Sequence, residues 1–133
     1  MLYSIAITTL SFLAEHVFRF LFGELIELTY NPGAAFGIFK DVPGLSLALS
    51  CVACAVILGV LVFIKLDKLE RLGLSIMLGG ALSNLCERIF LGHVIDWIPL
   101  PFFELNFNIA DVEISLGALI AFVSFTLSQK YLP

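Results

Sequence analysis

Leu45 to Ile64 is an unbroken run of 20 residues without a charged side chain. At about 1.5 Å of rise per helical residue, such a run crosses the roughly 30 Å hydrocarbon core of a bilayer. The rest of the chain has no polar shell in which to bury it. Of the 133 residues 60% are hydrophobic and 14% charged, and the mean hydropathy is +1.06. These values lie far from those of soluble globular domains, and they predict a membrane protein.

Three shorter apolar stretches, Met1 to Ala14, Leu72 to Cys86 and Ile114 to Gln129, each stop at polar residues before reaching a full span. They cross a bilayer only if the helices run on past Glu15, towards Glu87 and Arg88, and back to Asp111, which leaves charges at helix ends near one interface. The predicted fold is an all-α membrane protein with four transmembrane helices over 1–20, 45–64, 72–90 and 109–129, forming one membrane-embedded domain over 1–133. Residues 23–41 form a small extracytoplasmic β-like platform in this scheme. Within it Glu-Leu-Ile-Glu-Leu-Thr-Tyr alternates loosely before Asn31-Pro32-Gly33, a pattern of a short strand ending in a turn. Gly33-Ala34-Ala35-Phe36-Gly37 then offers small residues that another backbone could approach, and an ordinary loop explains the stretch equally well.

Lys65, Lys68 and Arg71 cluster between the second and third spans, and Lys130 follows the fourth. Basic residues stay on the cytoplasmic side, so both termini are expected there and the active region near the outer face. Arg19, Lys40 and Arg88 run against this bias. Met1 to Ala14 has no basic leading region and no small-x-small cleavage site, so it reads as a retained helix and not a removed signal. A net charge of −4 and a pI near 4.9 give nucleic acid no basic surface to bind.

Asp96 and Asp111 lie near the ends of these oily segments, where an ionised carboxylate is costly and is a functional candidate by default. Two such acids brought together cannot both ionise freely, and their pKa values are driven apart, which is the basis of shared-proton chemistry. Each acid has a bland alternative: Asp111 as a helix N-terminal acid favoured by the macrodipole, Asp96 as a loop carboxylate beside Trp97. Asn84, Glu87 and Arg88 share a helical face by spacing, as do Asn108 and Asp111 at the entrance to the last span. Glu113 points nearly opposite to Asp111 and falls outside this group. Taken alone, Glu87 with Arg88 reads as an interfacial ion pair ending a helix, and Glu15 with Arg19 reads the same way.

Ser75, Gly79 and Ser83 recur every four residues as a smooth stripe for close helix packing. Cys51 and Cys54 form a C-x-x-C inside the strongest span and read, like Cys86, as small hydrophobes. His16 and His93 show no metal-ligand spacing with the nearby acids, so no metal is expected.

Asn31 to Gly37, Gly79 to Arg88, Gly92 to Trp97 and Phe107 to Ile114 form four blocks that, in this order, resemble the signal peptidase II, or bacterial lipoprotein signal peptidase, family. Asn31-Pro32-Gly33-Ala34-Ala35-Phe36-Gly37 resembles its Asn-x-Gly-Ala-Ala-Phe-Gly block. Gly79-Gly80-Ala81-Leu82-Ser83-Asn84 with Glu87-Arg88 is similar to Gly-Gly-Ala-x-Gly-Asn-x-x-Asp-Arg. Gly92-x-Val94-x-Asp96-Trp97 is similar to Gly-x-Val-x-Asp-Phe, and Phe107-Asn108-x-Ala110-Asp111-x-x-Ile114 to Phe-Asn-x-Ala-Asp-x-x-Ile. The resemblance implies an inner-membrane aspartic endopeptidase that cleaves prolipoproteins before a diacylglyceryl-modified cysteine, with Asp96 and Asp111 as the catalytic pair. It further implies that Asn31, Gly33, Asn84, Glu87, Arg88, Asn108 and Ala110 bind substrate or support the pair, with Glu15 and Arg19 as further supporting residues. No cofactor or metal is implied; the partners would be prolipoproteins and membrane lipids, and a groove open to the side suits a monomer.

The chain departs from the family pattern at three places. Glu87 stands for Asp, Ser83 for Gly, and Glu15-His16-Val17-Phe18-Arg19 for Asp-Gln-x-x-Lys. An extra methylene at position 87 is expected to displace a carboxylate by about an ångström, at a cost on the order of a hundredfold in catalysis. Two readings from other classes stay open on sequence: a non-catalytic lipoprotein-binding relative and a small proton-coupled transporter, the latter disfavoured by the lack of internal repeats.

Overall fold

A computed structural model describes residues 1–23, 28–33, 42–100 and 105–130. Four long helices dominate: α1 Leu2–Phe22, α2 Pro43–Phe63, α3 Lys68–Leu91 and α4 Ile109–Lys130. All four are long and apolar enough to cross a membrane. The polarity of the bundle is inverted relative to a water-soluble protein. Leu2, Phe20, Phe63, Phe90 and Phe122 project outwards, while Ser11, Glu15, Ser75, Ser83, Asn84 and Asn108 are buried. That is the arrangement expected when the solvent is lipid, because helix association then relies on small residues and internal hydrogen bonds. The chain is a multi-pass membrane protein.

The helices begin and end where local chemistry dictates. α3 starts a turn earlier than its apolar run, because Asp67 and Glu70 form a reciprocal cap. Asp67 Oδ1 accepts from the Glu70 amide at 2.8 Å and Glu70 Oε2 from the Asp67 amide at 2.9 Å. The same contact with the Glu70 amide holds the Asp67 carboxyl below its usual range. At the other end Gly92 adopts φ 80°, the left-handed conformation that closes a helix without a Cβ penalty.

α3 is the hub, packing against each of the other three helices. Its contact with α2 is apolar and built from Cys54, Ile57, Leu61 and Leu78. Its contacts with α1 and α4 depend on missing side chains. A Cβ on Gly79 would lie 2.3 Å from Ser11 Cβ and 2.7 Å from the Thr8 carbonyl oxygen. The predicted stripe of Ser75, Gly79 and Ser83 is therefore the α1 contact, with Thr8 Oγ1 donating to the Ser75 carbonyl at 3.0 Å. Gly73 of α3 and Gly117 of α4 meet back to back; a Cβ on Gly117 would sit 2.5 Å from the Gly73 carbonyl oxygen.

Two small antiparallel ladders cap one end of the bundle. β1 (Thr29–Asn31) pairs with β2 (Val94–Asp96), matching Thr29 with Asp96 and Asn31 with Val94. β3 (Ile98–Leu100) pairs with β4 (Leu105–Phe107). The strand expected before Asn31 is present as β1, whereas β2, β3 and β4 were not anticipated. At three residues each they are too short for an alternating pattern to register. Of the platform predicted over 23–41, residues 24–27 and 34–41 lie outside the described residues, as does the small-residue run beginning at Ala34.

The Gly73–Gly117 contact yields a direct test. Gly117→Val should force α3 and α4 apart and destabilise the bundle by about 1–3 kcal/mol or more, as overpacking typically does. The expected readout is a lowered thermal midpoint in detergent, and an unchanged midpoint would contradict the contact.

Candidate active site

The first acid, Asp96, is the last residue of β2, and its side chain is held on the same face as that of Asn31, diagonally across the β1–β2 ladder. Asn31 Nδ2 donates to Asp96 Oδ2 at 3.0 Å, and the Asn31 amide is fixed in turn by the Gly33 backbone N–H, which donates to its Oδ1 at 3.0 Å. This Asx-type turn is the local reason for Asn-x-Gly at that place.

The second acid, Asp111, opens α4 together with Asn108. Asn108 Oδ1 accepts from the Asp111 amide at 2.9 Å, and Asp111 Oδ2 accepts from the Asn108 amide at 3.3 Å. This exchange satisfies two of the orphan donors at a helix start. The macrodipole reading of Asp111 therefore holds as a description of its backbone setting, but only one of its oxygens is used there. Asp111 Oδ1 accepts from Asn84 Nδ2 at 2.8 Å.

Asn108, which is fully buried, joins the two halves. Its Nδ2 donates to Asp96 Oδ1 at 3.1 Å and to Asn84 Oδ1 at 3.0 Å. Both aspartates are thus hydrogen-bonded to one residue. Arg88 completes the ring from α3, with Nη2 on the Gly33 carbonyl at 2.8 Å and Nη1 on the Asn84 carbonyl at 3.3 Å. Ala110 is fully buried where α4 meets α3, and its carbonyl oxygen would be 2.5 Å from a Cβ on Gly80. The close approach requires position 80 to lack a side chain.

Asn31, Asn84, Arg88, Asp96 and Asp111 line a cavity of about 760 Å³ whose remaining walls are mostly apolar, including Leu49, Ala53 and Ile57 of α2 and Leu116 and Leu119 of α4, with Ser46, Ser50, Asn106 and Ser115 among them. Burial pushes the Asp96 carboxyl from its ordinary 3.8 up to about 6. The Asp111 charge acts in the same direction, while the Asn31 hydrogen bond and the Arg88 charge oppose it. Between about pH 4 and 6 the folded chain therefore holds more protons at this group than the unfolded chain. Its contribution favours the fold at low pH and is lost as pH rises through about 6.

Of the predicted set, Gly33, Asn108 and Ala110 stand behind the cavity lining in the contacts just described, and Glu15, Arg19 and Glu87 lie outside it as well. Glu87 does not pair with Arg88, as its spacing alone suggested. It reaches Arg19 of α1 with Oε1 and accepts from the Ile95 backbone N–H at 2.8 Å with Oε2. At about 100° per residue, Arg88 lies roughly 40° to one side of Asn84 and Glu87 roughly 60° to the other, so Glu87 turns towards α1 while Asn84 and Arg88 face the cavity. Arg19 also lies 4.0 Å from Glu15, whose carboxylate accepts from Trp97 Nε1 at 2.9 Å and from the Ile109 amide at 2.8 Å. Trp97 was not among the predicted site residues. The available signal was a buried glutamate in an apolar helix that needs donors and a lone tryptophan directly after Asp96. Glu113 lies against Gly80 of α3, away from the cavity lining, as its spacing implied. His16 approaches Ser83 at 3.3 Å and Phe12, while His93 packs on the ring of Tyr30. Among the described residues no group of three His, Cys, Asp or Glu side chains could hold a metal ion.

A family model described as signal peptidase (SPase) II matches residues 5–127, a span that contains every residue of this network. The chain belongs to the signal peptidase II family. A protein named lipoprotein signal peptidase from Moorella thermoacetica is 38% identical over 101 residues, covering 74% of this chain and 67% of its own length. Another of that name from Acaryochloris marina is 38% identical over 115 residues, covering 83% and 69% respectively. The chain thus matches about two thirds of the length of these signal peptidase II relatives. A solved structure titled as a bacterial membrane enzyme at 2.3 Å superposes with a TM-score of 0.77 over 97% of this chain and 90% of that one. A second, at 1.9 Å, gives 0.70 over 94% and 93%. At 23% and 22% identity these two likenesses establish the shared fold.

Because the Asn31 hydrogen bond favours the ionised form of Asp96 in this signal peptidase II relative, Asn31→Leu should raise the Asp96 pKa above about 6. In an infrared titration with Asp96→Asn as blank, the protonated carboxyl band should persist to higher pH than in the parent. A band that disappears at the same or a lower pH would refute the contact.

Proposed function

We propose that the protein is an aspartic endopeptidase that removes signal peptides from prolipoproteins just before a diacylglyceryl-modified cysteine. The observation that carries this reading is the joining of Asp96 and Asp111 through Asn108 at the head of one partly apolar cavity. Family membership and the name shared by the relatives support the substrate class.

In this mechanism one carboxylate takes a proton from water while its protonated partner polarises the scissile carbonyl and then protonates the departing amine. The raised Asp96 value suits a proton held near neutrality, and the pair titrates as a unit. Asn31, Asn84 and Asn108 orient the two carboxyl groups by donating hydrogen bonds to them, and Arg88 supplies positive charge beside the pair. Gly33 acts through its backbone, which holds Asn31 and Arg88, and Ala110 through its buried place where α4 meets α3. No cofactor takes part. The apolar walls from α2 and α4 suit a lipid-bearing peptide that enters from the membrane.

The domain comprises 1–133 and sits in the bacterial inner membrane as a monomer. Lys65 between α2 and α3, with Lys68 and Arg71 in the first turns of α3, supports a cytoplasmic position for that end. Both termini are then cytoplasmic and the aspartates near the outer face.

Asp96→Asn and Asp111→Asn should each lower cleavage of a diacylglyceryl-modified prolipoprotein by at least about 10²–10⁴-fold, the usual worth of a positioned acid or base. Helical content should be unchanged. Either variant cleaving at the parental rate would remove the pair from the mechanism. A parent that binds the lipopeptide without cleaving it would identify a binding relative instead.

A further inference from the structure

We propose that Glu15, Arg19 and Glu87 act as one positioning unit that sets the relative placement of Asp96 and Asp111, and that the length of Glu87 is a requirement of that unit. The inference rests on the reading of the two aspartates as the catalytic pair. None of the three lines the cavity, so they act through other residues.

Glu15, on α1, is 1% exposed, and each of its oxygens serves a different half of the site. Oε1 accepts from the indole of Trp97, the residue after Asp96. Oε2 accepts from the amide of Ile109, the first residue of α4 and two before Asp111. One carboxylate therefore ties the strand bearing one aspartate to the helix bearing the other, and caps a helix start whose N–H has no partner within the helix. Glu87, on α3, takes the amide of Ile95, the residue before Asp96. Asp96 is thus held from both sides along the chain.

Two buried carboxylates facing the same region are costly unless a cation compensates both. Arg19 does so, with one guanidinium nitrogen directed at Glu15 and Glu87 together. Its permanent positive charge is what the two carboxylates share. Glu87 must span from α3 to both the Ile95 amide and the α1 arginine. A shorter acid at that position loses one of the two contacts. The extra methylene, read from sequence as a defect, is in this geometry the connection between α1 and β2.

The chain provides its own reporter, since Trp97 is the sole tryptophan. Glu87→Asp, Arg19→Met and Arg19→Lys are compared in purified protein for kcat, KM and Trp97 emission. Cleavage is read on a synthetic diacylglyceryl lipopeptide, and helical content is matched to the parent. Glu87→Asp should lower kcat about ten- to a hundredfold with KM within about twofold, the signature of misplaced catalytic groups. Arg19→Met should do at least as much, Arg19→Lys should recover most of the loss, and the emission maximum should move in step with kcat. Glu87→Asp at or above the parental kcat overturns the proposal, as does a change confined to KM. Retained turnover in Asp96→Asn or Asp111→Asn sinks the catalytic pair instead. If the parent does not cleave, emission decides: a shift in Arg19→Met and Glu87→Asp sustains the unit, and unchanged spectra overturn it.

Discussion

A single buried amide, that of Asn108, carries the connection on which the site depends. Its nitrogen reaches Asp96 and Asn84 while its oxygen caps the helix that begins with Asp111. Strand, hub helix and final helix meet in that one side chain. In a medium of low dielectric these hydrogen bonds are strong and an unmade one is expensive. The network is therefore fully committed: Asn84 and Asn108 each use both ends of the amide, which fixes their orientation without reference to anything outside the protein.

The bundle supplies the distances this requires. α3 brings Asn84 and Arg88 to the cavity because its lower turns lie almost in backbone contact with α4 at Gly73 and Gly117, and with α1 at Gly79. Lipid provides no hydrophobic drive to push helices together, so close approach through absent side chains has to do so. The same closeness lets Glu15 on α1 touch both Trp97 and Ile109. Packing low in the bundle and hydrogen bonding at its head are one continuous arrangement.

Much of this was legible in the sequence because the membrane makes its exceptions conspicuous. Four apolar segments give four helices, and the two aspartates stand out because each is hard to accommodate without a purpose. The Ser75–Gly79–Ser83 stripe was readable because helix periodicity survives in any solvent. What was hidden depends on contacts distant in sequence. Glu15 and Trp97 are 82 residues apart, and no local pattern relates them. Glu87 could be assigned to Arg88 or to Arg19 only once α1 was known to lie beside α3. The short ladders around Asp96 were likewise invisible, because their pairing is decided by the helices that carry their ends.

Leu49, Leu116 and Leu119 line the cavity and are also exposed on the flank of the bundle, since α2 takes its support chiefly from α3. The doorway therefore faces hydrocarbon. A ligand using it arrives by diffusion in two dimensions, and its effective concentration is a mole fraction within the bilayer, not a molarity in the surrounding water. Adding inert lipid would dilute such a ligand at constant total amount, and enlarging the aqueous volume would leave it unaffected.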